Sequence, residues 1–397
     1  MLVGLVGKPS SGKSTFFKAL TLIEVETASY PFTTIKPNHG VSFVKANCVD
    51  SFFKVQCNPS QGFCMNHKRF VPVEMMDVAG LVPGAHEGKG LGNQFLDDLR
   101  KADVLVHVVD ASGSTDAEGK AVAAGSHDPV EDVLFLEEEI NLWFEKIIVK
   151  NFQKIKKIAP KGKQELIDMM LQSLSGLGIR DLNIENALNK TKLIEKKIPN
   201  WEEDDYKKFS AAVREEAKPI VIAANKIDLG KAKENLKKLK EKFPNKTIIG
   251  TSAEAEYALK KAHKTNLIEY MPGEKDFKKL NEMNENQGKA LTFIKENVLN
   301  LEDGTGVQKT LDTAVLEVLG YLTVFPGGVN KLEDSKGNVL PDCFLMRKGS
   351  TVLDFAFKLH TDIGNGFIKA IDVKTKQLKG KDTELTDGDV IEIAFKK

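Results

Sequence analysis

The chain has 397 residues, a formal net charge of +1 at pH 7, and a composition of 41% hydrophobic and 28% charged residues. This length is enough for two or three domains with separate cores. The near-zero charge gives no support for binding to DNA or to a membrane surface, and no apolar run approaches the ~20 residues of a membrane-spanning helix. Four unevenly spaced cysteines do not make a secreted disulfide framework, and the chain opens on a strand rather than a signal peptide, so we expect a cytoplasmic protein.

The first segment of the chain matches a phosphate-binding loop. An apolar run at residues 2–6 predicts a β-strand, the run G-K-P-S-S-G-K-S-T at residues 7–15 matches G-x-x-x-x-G-K-[ST], and a helix-forming segment follows. Backbone N–H groups of such a loop bind a polyphosphate at the helix N-terminus. We expect Lys13 to contact the β- and γ-phosphates, where it would assist catalysis, and Ser14 to coordinate Mg²⁺. The predicted nucleotide-binding residues of this loop are Gly7, Lys8, Pro9, Ser10, Ser11, Gly12, Lys13, Ser14 and Thr15.

Strand-like and helical patterns alternate from the N-terminus to residue 251, which is typical of a parallel α/β sheet. The predicted strands lie at residues 2–6, 69–76, 104–109, 219–223 and 247–249. A long stretch with helical periodicity separates the third strand from the fourth, and short strands around one helix follow residue 320. We therefore predict a P-loop α/β domain at residues 1–127 and 217–305, a helical insertion at 128–216, a connecting helix at 306–322 and a small α+β domain at 323–397.

A second motif selects the base of the nucleotide. Asn225 begins an N-K-x-D sequence after the fourth predicted strand, and the Asp228 carboxylate can accept hydrogen bonds from guanine N1–H and the 2-amino group. Adenine offers neither donor, so the sequence predicts GTP and GDP as ligands. We expect Asn225 to tie the base-binding loop to the phosphate loop, and Lys226 to lay its stem across the base. Ser252 and Ala253, after the next strand, would offer a backbone N–H to guanine O6.

Two further segments predict the magnesium site and the γ-phosphate sensor. Asp77 ends the second predicted strand in a D-x-x-G sequence, where a carboxylate can hold the Mg²⁺ shell and the Gly80 N–H can sense the γ-phosphate. Thr33 and Thr34 lie where a first switch segment supplies a hydroxyl to Mg²⁺, and we favour Thr34. The predicted magnesium ligands are therefore Ser14, Thr34 and Asp77.

The residue after the D-x-x-G sequence bears on catalysis. Leu81 stands where many GTPases have the glutamine that orients the attacking water, and its side chain accepts no hydrogen bond. Hydrolysis must then depend on another group, an ion or a partner, so we expect a low intrinsic rate. His86 and Glu87 are the nearest candidates, in a loop whose glycines permit large rearrangements. The alternative is that both are loop residues without a catalytic role.

A cluster of cysteines precedes the second predicted strand. Cys48, Cys57, Cys64 and His67 follow the spacing C-x8-C-x6-C-x2-H, and three thiolates with one imidazole can bind Zn²⁺ tetrahedrally. The spacing lacks the C-x2-C pair that many zinc sites have. A disulfide within the cluster and free buried cysteines are the two other interpretations, and all three stay open at this point.

Several segments resemble known families. Residues 30–38, Y-P-F-T-T-I-K-P-N, and the glycine-rich run at residues 77–93 are similar to motifs of the Obg group of translation-factor-type GTPases, especially its YchF-like branch. Residues 349–356, His360 and residues 385–390 resemble a TGS domain, a β-grasp (ubiquitin-like) module. The resemblance implies a GTPase G domain with a helical insertion, followed by a TGS domain. It also implies association with ribosomes, translation or RNA through the TGS domain and the insertion.

Two positions depart from the pattern of this family. YchF-like proteins have N-x-x-E at the base-reading position and favour adenine nucleotides, whereas this chain has Asp228, so we predict GTP over ATP. Obg-like phosphate loops usually have Asn where this chain has Ser10, and that Asn is linked to a bound potassium ion, so dependence on K⁺ is left open. The leading hypothesis is a slow GTPase that acts as a nucleotide-dependent switch. The alternative is a nucleotide-dependent scaffold, unrelated to the ribosome, in which hydrolysis is incidental.

Overall fold

The computed structural model of the chain describes residues 1–22, 38–78, 92–156 and 162–396. These residues form two compact units. The first unit consists of residues 1–19, 38–40, 74–78, 92–156 and 162–310, and the second of residues 20–22, 41–73 and 311–396. The second unit thus includes residues 41–73, a segment that the sequence boundaries place with the phosphate loop.

A parallel sheet organises the first unit. Its strands are β1 (Leu2–Val6), the end of β4 (Lys68–Asp77), β5 (Val104–Asp110), β6 (Ile220–Asn225) and β7 (Ile248–Gly250), in the order β4-β1-β5-β6-β7. Each neighbouring pair is parallel. Every residue of β1 and β5 is buried, as expected for strands covered on both faces, which explains their nearly uninterrupted apolar sequence. The predicted parallel α/β sheet is confirmed.

Helices follow the strands of this sheet along the chain. They are α1 (Lys13–Thr21), α3 (Gly92–Lys101), α8 (Ala232–Lys242), α9 (Ala253–Lys264) and α10 (Glu285–Ile294), the last continued by a π-helical turn at Lys295–Leu299. A short hairpin of β8 (Ile268–Glu269) and β9 (Lys278–Lys279) lies between α9 and α10. Because the strands are parallel, β1, β4, β6 and β7 end at the same edge of the sheet. That edge is where ligands bind in open α/β sheets.

The chain between β5 and β6 forms the predicted helical insertion. Its helices are α4 (Pro129–Ile155), α5 (Lys163–Ser173), α6 (Asp181–Thr191) and α7 (Glu203–Ala217), with 3₁₀ turns at Leu193–Glu195 and Ile198–Asn200. Asp128 caps α4 by accepting a hydrogen bond from the Val130 N–H, and Pro129 takes the first helical position. Aromatic contacts of Trp201 with Phe152 and Phe209 stabilise the core of this layer. None of the described helices is both long enough and apolar enough to cross a membrane.

A second sheet organises the second unit. Its strands are β10 (Tyr321–Pro326), β11 (Phe344–Arg347), β12 (Phe367–Asp372), β13 (Leu378–Lys379) and β14 (Asp389–Phe395), in the order β11-β10-β14-β12-β13. The central pair β10 and β14 is parallel and its neighbours are antiparallel. Two helices, α12 (Val352–Leu359) and α13 (Thr361–Asn365), separate β11 from β12. Thr351 and Asp354 form a capping box at the start of α12, which explains why a helix begins there.

Residues 41–73 complete the second unit. They contain most of β2 (His39–Asn47), the short helix α2 (Asp50–Phe53), β3 (Phe63–Met65) and the first part of β4. Strands β3 and β4 pair as an antiparallel hairpin, with Met65 opposite Lys68. The two turn residues, Asn66 and His67, have φ angles of 48° and 59°. Positive φ at both positions is the mark of a type I′ turn, whose twist suits a two-residue hairpin.

The chain segment before β10 is helical. Helix α11 (Val307–Asp312) and a π-helical turn at Thr313–Val318 lie where the connecting helix is predicted.

Candidate functional site

The phosphate loop follows β1, and at two of its positions the backbone takes a conformation that only glycine permits. Gly7 has φ of 152° and Gly12 has φ of 93°. A Cβ atom at Gly7 would lie 2.4 Å from the Val108 carbonyl oxygen, and one at Gly12 would lie 2.2 Å from the Asn225 Nδ2 atom. Ser10 is left-handed as well, with φ of 61°, a region that asparagine tolerates better than serine does. The loop is therefore built tightly against β5 and the N-K-x-D motif.

Asp77 contacts Ser14, another predicted magnesium ligand, and Lys13 of the phosphate loop. Parallel pairing of β1 with β4 sets Asp77 opposite Leu5, at the end of the strand that leads into the phosphate loop. The Lys13 Nζ atom lies 2.9 Å from Asp77 Oδ1, and the Ser14 hydroxyl donates a hydrogen bond of 3.1 Å to Asp77 Oδ2. Hydroxyl and carboxylate oxygens are the ligands that Mg²⁺ prefers. These residues fit a magnesium ion beside a phosphate group.

Asn225 links the N-K-x-D motif and the loop after β7 to the phosphate loop. Its Nδ2 atom donates a hydrogen bond of 3.0 Å to the Ser11 carbonyl oxygen in the phosphate loop. Its Oδ1 atom accepts hydrogen bonds from the Ala253 N–H at 3.0 Å and from the Thr251 hydroxyl at 3.3 Å. Asn225 is buried, so these bonds are shielded from water. The link from Asn225 to the phosphate loop that the sequence predicts is present, and base binding by the N-K-x-D motif stays a prediction.

The loop after β7 differs in detail from the prediction. The Ser252 side chain caps α9 by accepting a hydrogen bond of 3.3 Å from the Ala255 N–H, while its own N–H donates to the Thr305 carbonyl. The Ala253 N–H, predicted as a donor to guanine O6, donates to Asn225. To bind guanine O6, the Ala253 N–H would have to leave the Asn225 oxygen or donate to both acceptors at once.

Lys226 has a buried acidic partner that the sequence reasoning missed. Its Nζ atom lies 2.8 Å from Oδ2 of Asp110, the last residue of β5, which is completely buried. Burial alone would raise the pKa of Asp110, but hydrogen bonds from Lys226, Ser112 and Thr115 lower it below its ordinary value. Asp110 thus fixes the position of the Lys226 ammonium within the N-K-x-D motif. The only sequence signal was an acidic residue at the end of an apolar strand.

Asp228 is positioned differently from the other acids of the site. It is half-buried and makes no hydrogen bond or ion pair with any residue that the structure describes. Both carboxylate oxygens are therefore available to a ligand. A carboxylate only accepts hydrogen bonds, so a ligand at this position would have to supply donors.

Lys8 connects the phosphate loop to the helical insertion. Its Nζ atom lies 2.9 Å from Asp132 Oδ2 on α4 and donates a hydrogen bond of 2.9 Å to the Thr115 carbonyl oxygen. Asp132 also contacts His127, with 2.7 Å between His127 Nε2 and Asp132 Oδ1. Burial raises the pKa of Asp132, although Lys8 and His127 act to lower it. The Lys8 ammonium is thus engaged by a buried network, while the predicted nucleotide contact of this loop residue concerns its backbone and stays a prediction.

Several predicted residues lie outside the described part of the chain. They are the switch threonines Thr33 and Thr34, the γ-phosphate sensor Gly80, and the loop residues Leu81, His86 and Glu87.

The predicted cysteine cluster lies in the second unit. The Cys48 and Cys57 sulfurs are 3.6 Å apart, and the Cys64 sulfur is 3.7 Å from Asp50 Oδ2. Hydrogen bonds with Cys48 and Cys64 lower the pKa of Cys57. The predicted fourth member, His67, is half-exposed and contacts Asp50, with 2.9 Å between His67 Nδ1 and Asp50 Oδ1. Asp50 itself was missed, because nothing in the sequence marks it as buried.

Comparison with known proteins bears on this arrangement. The sequence profile of the 50S ribosome-binding GTPases matches residues 2–137, and that of the G4 motif-containing domain of YGR210-like, Obg-like GTPases matches residues 223–328. The TGS domain profile matches residues 336–394. An uncharacterized GTP-binding protein of Methanocaldococcus jannaschii is 44% identical over 99% of this chain and 98% of its own length. The chain belongs to the Obg-like, YchF-related GTP-binding proteins.

Two further relatives of this Obg-like protein extend the comparison. The crystal structure of a GTP-binding protein from Pyrococcus horikoshii is 37% identical, covers all of both chains and has a TM-score of 0.78. A Bacillus subtilis protein named ribosome-binding ATPase YchF is 26% identical over 100% of this chain and 99% of its own length. The predicted fold, a P-loop G domain with a helical insertion and a C-terminal TGS domain, is therefore confirmed.

Proposed function

We propose that this Obg-like protein binds GTP and GDP with Mg²⁺ and hydrolyses GTP slowly as a nucleotide-dependent switch. The main support for the proposal is that the Asn225 amide links the phosphate loop to the predicted base-reading loop. On the phosphate side of this link Asp77 contacts Lys13 and Ser14. On the base side Asp228 has no described partner. A ligand with both a polyphosphate and a base would engage both ends.

Asp228 supports guanine over adenine as the base. A carboxylate only accepts hydrogen bonds, and guanine presents two adjacent donors, N1–H and the 2-amino group. With adenine, the same carboxylate would face an acceptor and a C–H, and would lose its water without gaining a partner. The name of the B. subtilis relative points to ATP, so the choice of base has to be measured on this chain.

Competition between GTP and ATP for the full-length protein tests the assignment. We expect GTP to displace a fluorescent GDP analogue at a concentration about 100-fold below that of ATP. Asp228→Asn should lose about 10- to 100-fold in GTP affinity and gain affinity for XTP, since an amide can donate to xanthine O2 while accepting from N1–H. Equal affinities of the wild-type protein for ATP and GTP would overturn the guanine assignment.

Slow intrinsic hydrolysis is the second part of the proposal. It rests on the sequence, because Leu81 takes the position of the water-orienting glutamine. We propose that Thr34 and the Gly80 N–H respond to the γ-phosphate and that His86 assists hydrolysis. Single-turnover hydrolysis by His86→Ala tests the last role, with Glu87→Gln as a neighbouring comparison. Unchanged basal and partner-stimulated rates in His86→Ala would remove His86 from the mechanism.

We propose the ribosome as the partner of this switch. Support comes from the B. subtilis relative, whose name describes it as ribosome-binding, and from the match of residues 2–137 to the profile of 50S ribosome-binding GTPases. Contact through the TGS domain or the helical insertion remains part of the proposal. Co-sedimentation of the full-length protein with ribosomal particles, in the presence of a GTP analogue or GDP, measures the association directly.

A further inference from the structure

The thiol cluster, defined as the three sulfurs of Cys48, Cys57 and Cys64 with the Asp50 carboxylate, has the dimensions of a metal site. All four ligand atoms lie within 4.8 Å of one another. Tetrahedral coordination with metal–sulfur bonds of about 2.3 Å separates two sulfurs by about 3.8 Å, and a sulfur from a carboxylate oxygen by about 3.6 Å. The Cys48–Cys57 separation is 3.6 Å and the Cys64–Asp50 separation is 3.7 Å. A single small ion fits between these atoms without rearrangement of the backbone.

A buried cation beside the thiol cluster lacks an acidic partner. Arg69 is 1% exposed, and its terminal nitrogens donate to the carbonyl oxygens of Leu340 and Pro341, while its Nε atom is buried without a hydrogen bond. None of the described carboxylates forms an ion pair with it. In the hairpin ladder Arg69 lies directly opposite Cys64, so the two side chains share one face of the sheet. Arg69 also interacts electrostatically with Cys57.

This cation explains how a thiolate-rich site is tolerated in the core. A buried charge is costly unless it is compensated. Three thiolates and one carboxylate around a divalent ion carry a net charge of about minus two, which opposes that of the guanidinium. With neutral thiols, by contrast, the Asp50 carboxylate would be the single negative charge within the thiol cluster to oppose the Arg69 guanidinium.

The surroundings of Asp50 hold it in a ligand position. Its Oδ2 atom accepts a hydrogen bond of 3.3 Å from the Cys57 N–H and points toward the Cys64 sulfur. Its Oδ1 atom lies 2.9 Å from His67 Nδ1. The type I′ turn places His67 there, and the His67 carbonyl accepts a hydrogen bond of 2.9 Å from the Cys48 N–H. Metal-binding carboxylates are commonly oriented by such outer contacts.

We propose that Cys48, Cys57, Cys64 and Asp50 bind one tetrahedral Zn²⁺ ion, with His67 as the residue that positions Asp50. Thiolate ligands in tetrahedral geometry favour zinc over harder ions such as Mg²⁺. Each thiol loses its proton to solvent as its sulfur coordinates the metal, and no oxidation takes place. Four protein ligands leave no open position, so the ion is structural and joins α2 to the β3–β4 hairpin. The site is independent of the proposed nucleotide function.

Metal analysis of the full-length protein tests the proposal. Protein produced with zinc in the medium and purified under reducing conditions without chelators should contain about one zinc per chain. Replacement by Co²⁺ should give the intense visible bands of tetrahedral cobalt together with a sulfur-to-cobalt charge-transfer band. Metal-free protein whose intact mass is lower by two hydrogens would instead establish a disulfide, and metal-free protein of full mass would establish free thiols. Either result overturns the zinc site.

Variants identify the ligands. Cys64→Ser and Asp50→Asn should lose the bound zinc, whereas Cys343→Ser should keep it. Cys343 is the matched control, since it packs against the same buried residues as Cys48 and Cys57 but does not belong to the thiol cluster. His67→Ala should weaken zinc binding by about 10- to 100-fold while keeping the cobalt spectrum of the same ligand set. Equal zinc loss in Cys343→Ser and Cys64→Ser would show that the ligand set is wrong. If a variant does not fold, the cobalt spectrum of the wild-type protein shows whether a tetrahedral thiolate site is present.

Discussion

Asn225 and Asp228 belong to one four-residue motif but differ in what they contact. Asn225→Ala removes hydrogen bonds to Ser11 and Ala253, and leaves those buried backbone groups without a partner. We expect the free energy of unfolding to fall by about 2–3 kcal/mol. Asp228→Ala removes no hydrogen bond or ion pair with a described residue and should change stability by less than about 0.5 kcal/mol. Both variants should bind GDP more weakly.

Urea denaturation without nucleotide and calorimetric titration with GDP separate these effects. A comparable loss of stability in both variants would mean that Asp228 has a structural role that its surroundings do not reveal. Wild-type GDP affinity in Asp228→Ala would remove the residue from base recognition.

The buried side chain of His107 should make the stability of the protein depend on pH. Burial, together with Lys8 and Lys246, lowers the pKa of His107 from 6.5 to about 3. The unfolded chain therefore binds a proton at this position below pH 6.5, while the folded chain stays neutral until the pH approaches 3. Stability is at its full value above pH 6.5 and falls as the pH decreases toward 3, by about 1.4 kcal/mol per pH unit from this group.

Chemical denaturation from about pH 7 down to about pH 4 measures the effect, because the unfolded chain takes up the histidine proton within this range. His107→Phe removes the titrating group and should flatten the acid side of the stability profile relative to the wild type. Parallel profiles for the two proteins would show that the pKa of His107 does not differ between the folded and unfolded chain.

At the scale of elements, the Lys8–Asp132 pair joins the phosphate loop to α4. Asp132→Asn leaves the Lys8 ammonium buried without a carboxylate, and we expect unfolding to become easier by about 3–5 kcal/mol. Because Lys8 lies within the phosphate loop, GTP affinity should fall by about 2- to 30-fold, although Asp132 is on the helical insertion. Glu131→Gln is the matched control, since Glu131 is an exposed neighbour on the same helix. Thermal denaturation and GTP titration of both variants check the prediction, and identical behaviour of the two would contradict it.

The elements themselves were largely predictable from the sequence. Strands β1 and β5 are buried throughout, so burial imposes a continuous apolar run that is visible without a structure. The start of helix α4 is predictable from the capping residue Asp128 and from Pro129 at the first helical position. The hairpin turn at Asn66 and His67 was not predicted, because Asn-His is not one of the glycine-containing pairs that mark a type I′ turn in a sequence.

Within the candidate sites, the motif residues were predictable and their buried partners were not. Asn225 and Asp77 contact the groups that their motifs require. Three single acids contact cations or thiols that lie far away in sequence or on another element. They are Asp110, Asp132 and Asp50. No local pattern carries that information, because it arises only when the chain folds.

At the scale of the whole molecule, the nucleotide site and the TGS domain occur in different units of one chain. A switch function therefore requires that the nucleotide state change what the full chain binds. Ribosome preparations contain other GTP-binding factors, so GTP dependence alone would not identify this protein as the responder. The Asp228→Asn variant removes that ambiguity, because XTP should act on this chain only.

We expect wild-type protein to co-sediment with ribosomal particles in a GTP analogue more strongly than in GDP. Asp228→Asn should lose this difference with guanine nucleotides, since its amide no longer accepts both guanine donors, and regain it with a non-hydrolysable XTP analogue. Quantitative sedimentation at matched salt concentrations provides the measurement, because ionic strength alone changes RNA binding. Association of both proteins regardless of nucleotide would favour a scaffold in which hydrolysis is incidental, and association restored by XTP would establish a switch controlled by this chain's own site.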